Sequence, residues 1–346
     1  MSRYRVAIIG CGHRAPAHIE ASRALEQAEV VACCDLDRDR AEAMAARYGL
    51  KAYGDAAEMI KAERPDAVNV VTLPATRVAL LTLVAELGVR ACVSEKPIAT
   101  GVADWRALCA LEAQSTTRFA VSHQFRWQPH LVACQQALAS GALGEPLFVD
   151  MTAGMNIANQ GTHSLNYGRS LIGEARVVSV FANAGGWDGD DASHPAPAMS
   201  AAYLTFANGV RGVWTSGAVS PRVGDPNTTW QHVRVAAHAQ RGRVSYEEFG
   251  RWEIVGPDGA QGGHFGGFDA WGANNHAAQT GLQRAVFAWL DGSAPAPGTS
   301  LAESLHEWAA VLAIYQSTLD HRPVELAGFE PGDDLIEQYR AAIGGS

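Results

Sequence analysis

The sequence predicts an α/β protein in two domains, a doubly wound parallel sheet followed by an α+β domain built on an antiparallel sheet. Three observations carry this. The apolar run at 5–9 leads into Gly10-Cys11-Gly12-His13-Arg14-Ala15 and then a helical stretch. The first third alternates continuous apolar runs with helical patterns. After Gly144-Glu145-Pro146, longer strands joined by short turns take over.

Strands are expected at 6–9, 30–34, 67–71, 91–93 and 119–122, with helices at 17–27, 38–48, 78–87 and 102–113 between them. Hydrophobicity runs unbroken through these strands, which implies burial on both faces and a parallel sheet covered by helices. Ligands of such folds sit beyond the carboxyl ends of the strands. In the second half, a strand at 147–151 and a polar loop precede a helix at 164–171. The stretches 204–206 and 210–214 flank Ala207-Asn208-Gly209, and 230–237 and 243–249 flank Gln240-Arg241-Gly242. Both read as hairpins. Residues 256–272, with His264, Phe265, Phe268 and Trp271 among glycines, read as a long surface loop, and helices return at 275–290 and 301–319. Domain limits of 1–123 and 124–346 follow, with the C-terminal helices able to pack back on the first domain.

At 346 residues the chain exceeds what one core usually supports. A net charge of −9 argues against nucleic acid as partner. The apolar run after Met1-Ser2-Arg3-Tyr4 is too short for a signal peptide or membrane span, so a cytoplasmic protein without membrane contact is expected. Cys11, Cys33, Cys34, Cys92, Cys109 and Cys134 lack metal-site spacing and are expected as free thiols, four of them in or beside strands; no metal is expected.

The glycine turn carries the first chemistry. Gly10 permits a tight turn, Gly12 lets a pyrophosphate approach the backbone, and Ala15 keeps the helix close to the strand. The helix start then presents N–H groups to an anion, with His13 and Arg14 beside it. Asp35 closes the second strand, where a carboxylate meets adenosine ribose hydroxyls and repels a 2′-phosphate. Arg38 could offset that repulsion, but Asp37 and Asp39 flank it, so NAD is expected over NADP by at least tenfold. Leu73 and Pro74 follow the strand at 67–71. Glu95-Lys96-Pro97 ends another buried strand at the ligand edge, where desolvation can make a lysine an acid, base or hydrogen-bond donor; without that context it would read as a solvated surface lysine. His163 opens a helix, whose dipole helps keep an imidazole neutral and able to accept a proton. His123, Gln124, Arg126 and Trp127 follow the last strand of the first domain. Arg126 there could bind a substrate oxygen or tie structure together.

Taken together, these pieces resemble the Gfo/Idh/MocA oxidoreductases, relatives of glucose-fructose oxidoreductase and inositol dehydrogenase. The resemblance rests on 6–12, Asp35-Leu36-Asp37-Arg38, Glu95-Lys96-Pro97, Phe125-Arg126, Gln160-Gly161-Thr162-His163 and 301–326. It implies a Rossmann domain, an open and mostly antiparallel second sheet, a nicotinamide cofactor, and a sugar, cyclitol or polyol substrate. It makes Lys96 and His163 the catalytic pair. The sequence departs from the family pattern at Asn159 and Asn166, where aspartates are common, and at Arg77, near a frequent histidine.

The resulting expectation is an NAD-dependent dehydrogenase or reductase acting on a CH–OH group. His163 takes the hydroxyl proton, Lys96 stabilises the oxygen, and Asn159 positions the substrate or His163. The cofactor set is Gly10, Gly12, His13, Arg14, Ala15, Asp35, Arg38, Leu73, Pro74, Glu95, Lys96 and Gln124. The substrate set is Lys96, His123, Arg126, Trp127, Asn159, His163 and Asn166. Two alternatives stand beside it: an NAD-retaining enzyme that cleaves a glycoside or isomerises a sugar through transient oxidation, and an NAD-sensing protein without catalysis. A homodimer or homotetramer is expected through the outer face of the second sheet, with Tyr203, Phe206, Val213, Trp214 and Trp230 as its bulky residues.

Overall fold

The computed structural model describes residues 3–188, 194–223 and 228–344. The chain divides into two compact units. The first comprises Met1–Ala99, Arg106–Gln124 and Asn275–Glu303, and the second Thr100–Trp105, Phe125–Asn274 and Ser304–Ser346.

In the first unit the chain runs β1 (Tyr4–Ile9), α1 (Ala15–Arg23), β2 (Ala28–Cys34), α2 (Arg38–Tyr48), β3 (Lys51–Tyr53), α3 (Ala56–Glu63), β4 (Ala67–Val70), α4 (Arg77–Glu86), β5 (Ala91–Ser94), α5 (Val102–Gln114, its first residues to Trp105 belonging to the second unit) and β6 (Arg118–Val121). The six strands form one parallel sheet in the order β3-β2-β1-β4-β5-β6. This is the doubly wound order that reverses direction between β1 and β4, where such sheets bind nucleotides. The unbroken apolar runs are explained by burial: Val6, Ala7, Ile8, Val68, Val70, Ala91 and Cys92 are all at or near zero exposure. Helix starts obey local chemistry. Asp37 caps α2 by accepting from the Arg40 N–H, and Asp55 caps α3 by accepting from the Glu58 N–H. Strand β3 and helix α3 were not expected. Lys51-Ala52-Tyr53 is an edge strand of three residues with no apolar run to announce it.

The second unit holds α6 (Pro129–Ala139), β7 (Pro146–Ala153), α7 (Thr162–Leu171), β8 (Val177–Gly185), β9 (Met199–Phe206), β10 (Arg211–Gly217), β11 (Val233–Ala239), β12 (Gly242–Glu247), β13 (Arg251–Gly256) and β14 (Gly259–His264). Helix α8 (Phe268–Leu290) begins here and continues into the first unit. Then come α9 (Leu301–Asp320), β15 (Val324–Glu325) and α10 (Leu335–Gly344). Its nine-stranded sheet runs β14-β13-β12-β11-β7-β10-β9-β8-β15, antiparallel at every pairing except β7 with β10. Among the described residues no helix is long and apolar enough to cross a membrane. The cysteines are free thiols, and all except Cys109 are buried.

Two expectations are corrected. The glycine-rich stretch 256–272 is not a long loop: 259–264 pair with β13 as an exposed edge strand, and α8 begins at Phe268. Strand propensity is low in Gly-Ala-Gln-Gly-Gly-His, so only tertiary pairing reveals it. On the outer face of the second sheet, Tyr203 is exposed beside its cross-strand partners Phe181 and Val213. Phe206 and Trp214 instead point into the core, as strand alternation requires, and Trp230 lies in a turn before β11.

Candidate active site

The nucleotide edge of the first unit is built around β1, its following turn, and the ends of β2 and β5. Gly10 has φ +94°, and a Cβ placed on it would lie 2.5 Å from the Val71 carbonyl oxygen. Only glycine satisfies both conditions. Gly12 is different: a Cβ there would meet no protein atom within 4 Å, so it opens onto a space the protein leaves clear. Ala15 is fully buried where α1 leaves the turn, and Arg14 at the N-cap offers that helix start no side-chain cap. The α1 dipole therefore faces the same region. His13 is exposed on the turn.

Asp35 braces this turn. Its carboxylate accepts the Cys11 N–H at 2.8 Å and the Asp37 N–H at 2.9 Å. Arg38 pairs with Glu42 at 2.8 Å on an exposed face, whereas Arg40 lies 3.7 Å from Asp35 and 3.3 Å from Asp37. The arginine beside the acid is thus Arg40, which the sequence reading did not single out. Leu73 is exposed and Pro74 buried in the short turn after β4.

Glu95 is the hub of the unit. His18 Nε2 lies 2.9 Å from its carboxylate and the Arg14 guanidinium 3.3 Å away. Arg14 also donates to Gln279 at 3.3 Å. Gln124, in the amide orientation that satisfies both neighbours, accepts from Arg14 at 3.2 Å and donates to the Ser122 carbonyl at 3.1 Å. Burial by itself would raise the Glu95 carboxyl. Arg14, His18 and Lys96 outweigh it and hold the group well below the ordinary carboxylate range. Three expected cofactor residues, Arg14, Glu95 and Gln124, are brought together, and Arg14 serves Glu95 through a contact the sequence did not suggest. Lys96 follows half-buried, with a cis Lys96–Pro97 bond. His123 is buried. Arg77 is wholly buried, and loss of solvent pulls it down to about 10 against the opposing charge of Glu95.

In the second unit, a π-helical turn at Ile157–Gly161 runs directly into α7. Such turns are rare and collect at functional sites. The Asn156 side chain accepts the Asn159 N–H at 2.9 Å and donates to Asp188 and to the His194 carbonyl, each at 3.0 Å. Asn159 is thereby set half-buried, one turn before His163. His163 is 7% exposed; its Nδ1 lies 3.0 Å from the Tyr167 hydroxyl and its ring stacks on Tyr167 at 5.6 Å. Tyr167 was missed, although a polar aromatic four residues along a helix from a candidate base is a usable signal. Trp214 donates to the Gly161 carbonyl and Ser164 hydroxyl, both at 3.1 Å, which ties β10 to the start of α7.

Arg126 and Asn166 are also brought together. Arg126 donates to the Asn166 side chain at 3.3 Å and pairs with Glu174, while Asn166 donates to Glu307 at 2.9 Å. Arg169 completes the group on Glu307 at 2.6 Å, with both side chains buried. A buried charge pair survives only when its remaining hydrogen bonds are made, and here Asn166 supplies one. Trp127 is half-buried.

Residues 4–123 match the model of the oxidoreductase family with an NAD-binding Rossmann fold, Gfo/Idh/MocA. A D-apiose dehydrogenase from Paraburkholderia graminis is 29% identical over 95% of this chain and 92% of its own. Residues 4–123 of this oxidoreductase are thus similar to the NAD-binding Rossmann domain of the Gfo/Idh/MocA family. The fold of this oxidoreductase is shared by an Agrobacterium radiobacter oxidoreductase solved with NAD+, L-tartaric acid and magnesium (TM-score 0.80, 22% identity, 94% of this chain and 99% of that one). A levoglucosan dehydrogenase solved with NADH and levoglucosan shares it too (TM-score 0.79, 16% identity, 94% and 99%). The clear space at Gly12 and the uncapped start of α1 offer room and N–H donors for the pyrophosphate of NAD.

Proposed function

We propose that this oxidoreductase oxidises a secondary alcohol of a sugar, cyclitol or related polyol, or reduces the corresponding ketone. The observation that carries the reading is His163, held at the start of α7 by the Tyr167 hydroxyl at 3.0 Å. With Nδ1–H donating to Tyr167, Nε2 carries the lone pair that accepts the substrate hydroxyl proton. Lys96 donates a hydrogen bond to that oxygen and stabilises its developing negative charge. Asn159 orients the substrate without adding the charge an aspartate would bring. NAD, when bound, supplies the hydride acceptor. Gly12 and the α1 start hold its pyrophosphate, and Asp35 its adenosine ribose. The relatives that act on D-apiose and levoglucosan support a carbohydrate substrate.

The test is a screen of purified protein with NAD against pentoses, hexoses, inositols and anhydrosugars, following nicotinamide reduction. Saturable reduction by at least one carbohydrate is expected, and none across the screen in either direction contradicts the reading. NAD is expected to bind at least tenfold more tightly than NADP, because Asp35 repels a 2′-phosphate. Equal or tighter NADP binding would show that Arg40 governs the pocket.

A further inference from the structure

The second unit carries an aromatic wall that leads away from His163. Phe125 meets the His163 ring edge-on at 6.4 Å, and Trp271 lies 6.0 Å from Phe125. Phe249 stacks on Trp271 at 5.1 Å, and Trp230 meets Phe249 at 4.9 Å and Trp271 at 6.1 Å. Phe268 closes the group, 6.3 Å from both Trp230 and Phe249.

Two features distinguish this wall from an ordinary patch of core. Its outer members are open to solvent: Trp230 is 37% exposed and Phe268 62%. It also carries polar atoms without hydrogen-bond partners among the described residues, the Trp271 indole N–H and Gln160 Oε1. Gln160 belongs to the wall because its amide donates to the Trp230 carbonyl at 2.5 Å. An unpaired buried donor or acceptor costs about 1–3 kcal/mol, and a ligand hydroxyl can relieve either one. Aromatic faces for C–H groups, together with a donor and an acceptor for hydroxyls, are the complement of a cyclic sugar.

We infer that Trp230, Phe249, Phe268 and Trp271 form a carbohydrate platform. On it the C–H face of a pyranose or related ring lies while His163 addresses one of its hydroxyls. This deepens the proposed function and rests on it for the role of His163. It narrows the substrate class to ring-form sugars over open-chain polyols, which present no continuous C–H face. The first turn of α8, at 268–271, supplies Phe268 and Trp271, so the start of that helix sets the specificity.

The experiment is a titration of the full chain, tryptophan-labelled for indole NMR, with the methyl pyranosides of glucose, galactose, mannose and xylose, with sorbitol as the open-chain control. Saturable shifts of the Trp230 and Trp271 indole signals with at least one pyranoside, and none with sorbitol, are expected. Trp230→Ala and Phe268→Ala change exposed side chains, so the fold should persist, which an unchanged NAD affinity would verify. Each should weaken the effective pyranoside at least fivefold, with Phe268→Leu intermediate. Shifts equal for sorbitol, no shift with any pyranoside, or shifts that follow protein concentration alone (a second copy covering the wall) would overturn the platform. Binding is read without turnover. Pyranosides that bind here while no carbohydrate ever reduces NAD would sink the oxidoreductase reading and leave the platform standing. Carbohydrate turnover unaffected by either alanine would do the reverse.

Discussion

Tyr167 meets the candidate base with both its ring and its hydroxyl. It is fully buried, and its hydroxyl lies 3.0 Å from His163 Nδ1, so it holds the ring in place. Tyr167→Phe keeps the stacking and removes the hydroxyl's bond to His163. Turnover should fall roughly tenfold, the range of one positioned hydrogen bond, and the acidic limb of the pH–rate profile should move. NAD affinity should stay within twofold. An unchanged profile would leave Tyr167 with packing alone. At this scale the sequence is legible where chemistry repeats a known pattern. The positions of Gly10, Gly12, Asp35, Lys96 and His163 at a strand end or helix start were readable. His18, Arg40 and Tyr167 were not. Their importance lies in which neighbour they touch, and neither type nor spacing decides that among twelve histidines and many arginines.

The turn between β1 and α1 shows how two glycines of one motif do different work. Gly10 combines a left-handed φ with a backbone oxygen 2.5 Å from where a Cβ would sit, so Gly10→Ala must displace β4's end. A loss of several kcal/mol, seen as a sharply lower Tm, is expected. Gly12 faces clear space and has no such conflict. Gly12→Ala should hold stability within about 1 kcal/mol while weakening NAD at least tenfold, since the added methyl occupies the pyrophosphate's approach. Thermal unfolding and NAD titration of the two variants separate these effects, and equal loss of stability in both would refute the distinction. Element type was legible for much of the first third, as in α2, expected and found at 38–48. It failed for β3 and β14, short or glycine-rich edge strands held by their partners rather than by propensity.

Across the whole molecule, each unit is organised around a buried carboxylate: Glu95 in the first, among Arg14 and His18, and Glu307 in the second, among Arg169 and Asn166. Glu95 yields a pH prediction. Its folded carboxyl lies well below the ordinary value of 4.5. Its contribution is therefore complete above that value and is lost as pH falls through the folded one. Glu95→Gln should cost roughly 3 kcal/mol at neutral pH, the scale of removing one partner from a buried charge cluster. The variant's stability should then fall less steeply below pH ~4.5 than the parent's. Denaturant melts across that range check it, and parallel curves would contradict it. The two-part architecture was legible from the change in strand grammar near residue 144. The passage of α8 from one unit into the other was not, because a helix's own periodicity is silent about which unit each turn joins.

The central claim is that Lys96 and His163 act on the carbohydrate oxygen while the glycine turn holds the cofactor. Single-turnover reduction of bound NAD, measured for Lys96→Met and His163→Gln beside the parent enzyme with the carbohydrate found by screening, tests it most directly. The account predicts NAD dissociation constants within threefold of the parent and hydride transfer slowed by at least about a thousandfold in each variant, the scale of lost acid–base and oxyanion stabilisation. Hydride transfer within tenfold of the parent in either variant would contradict it.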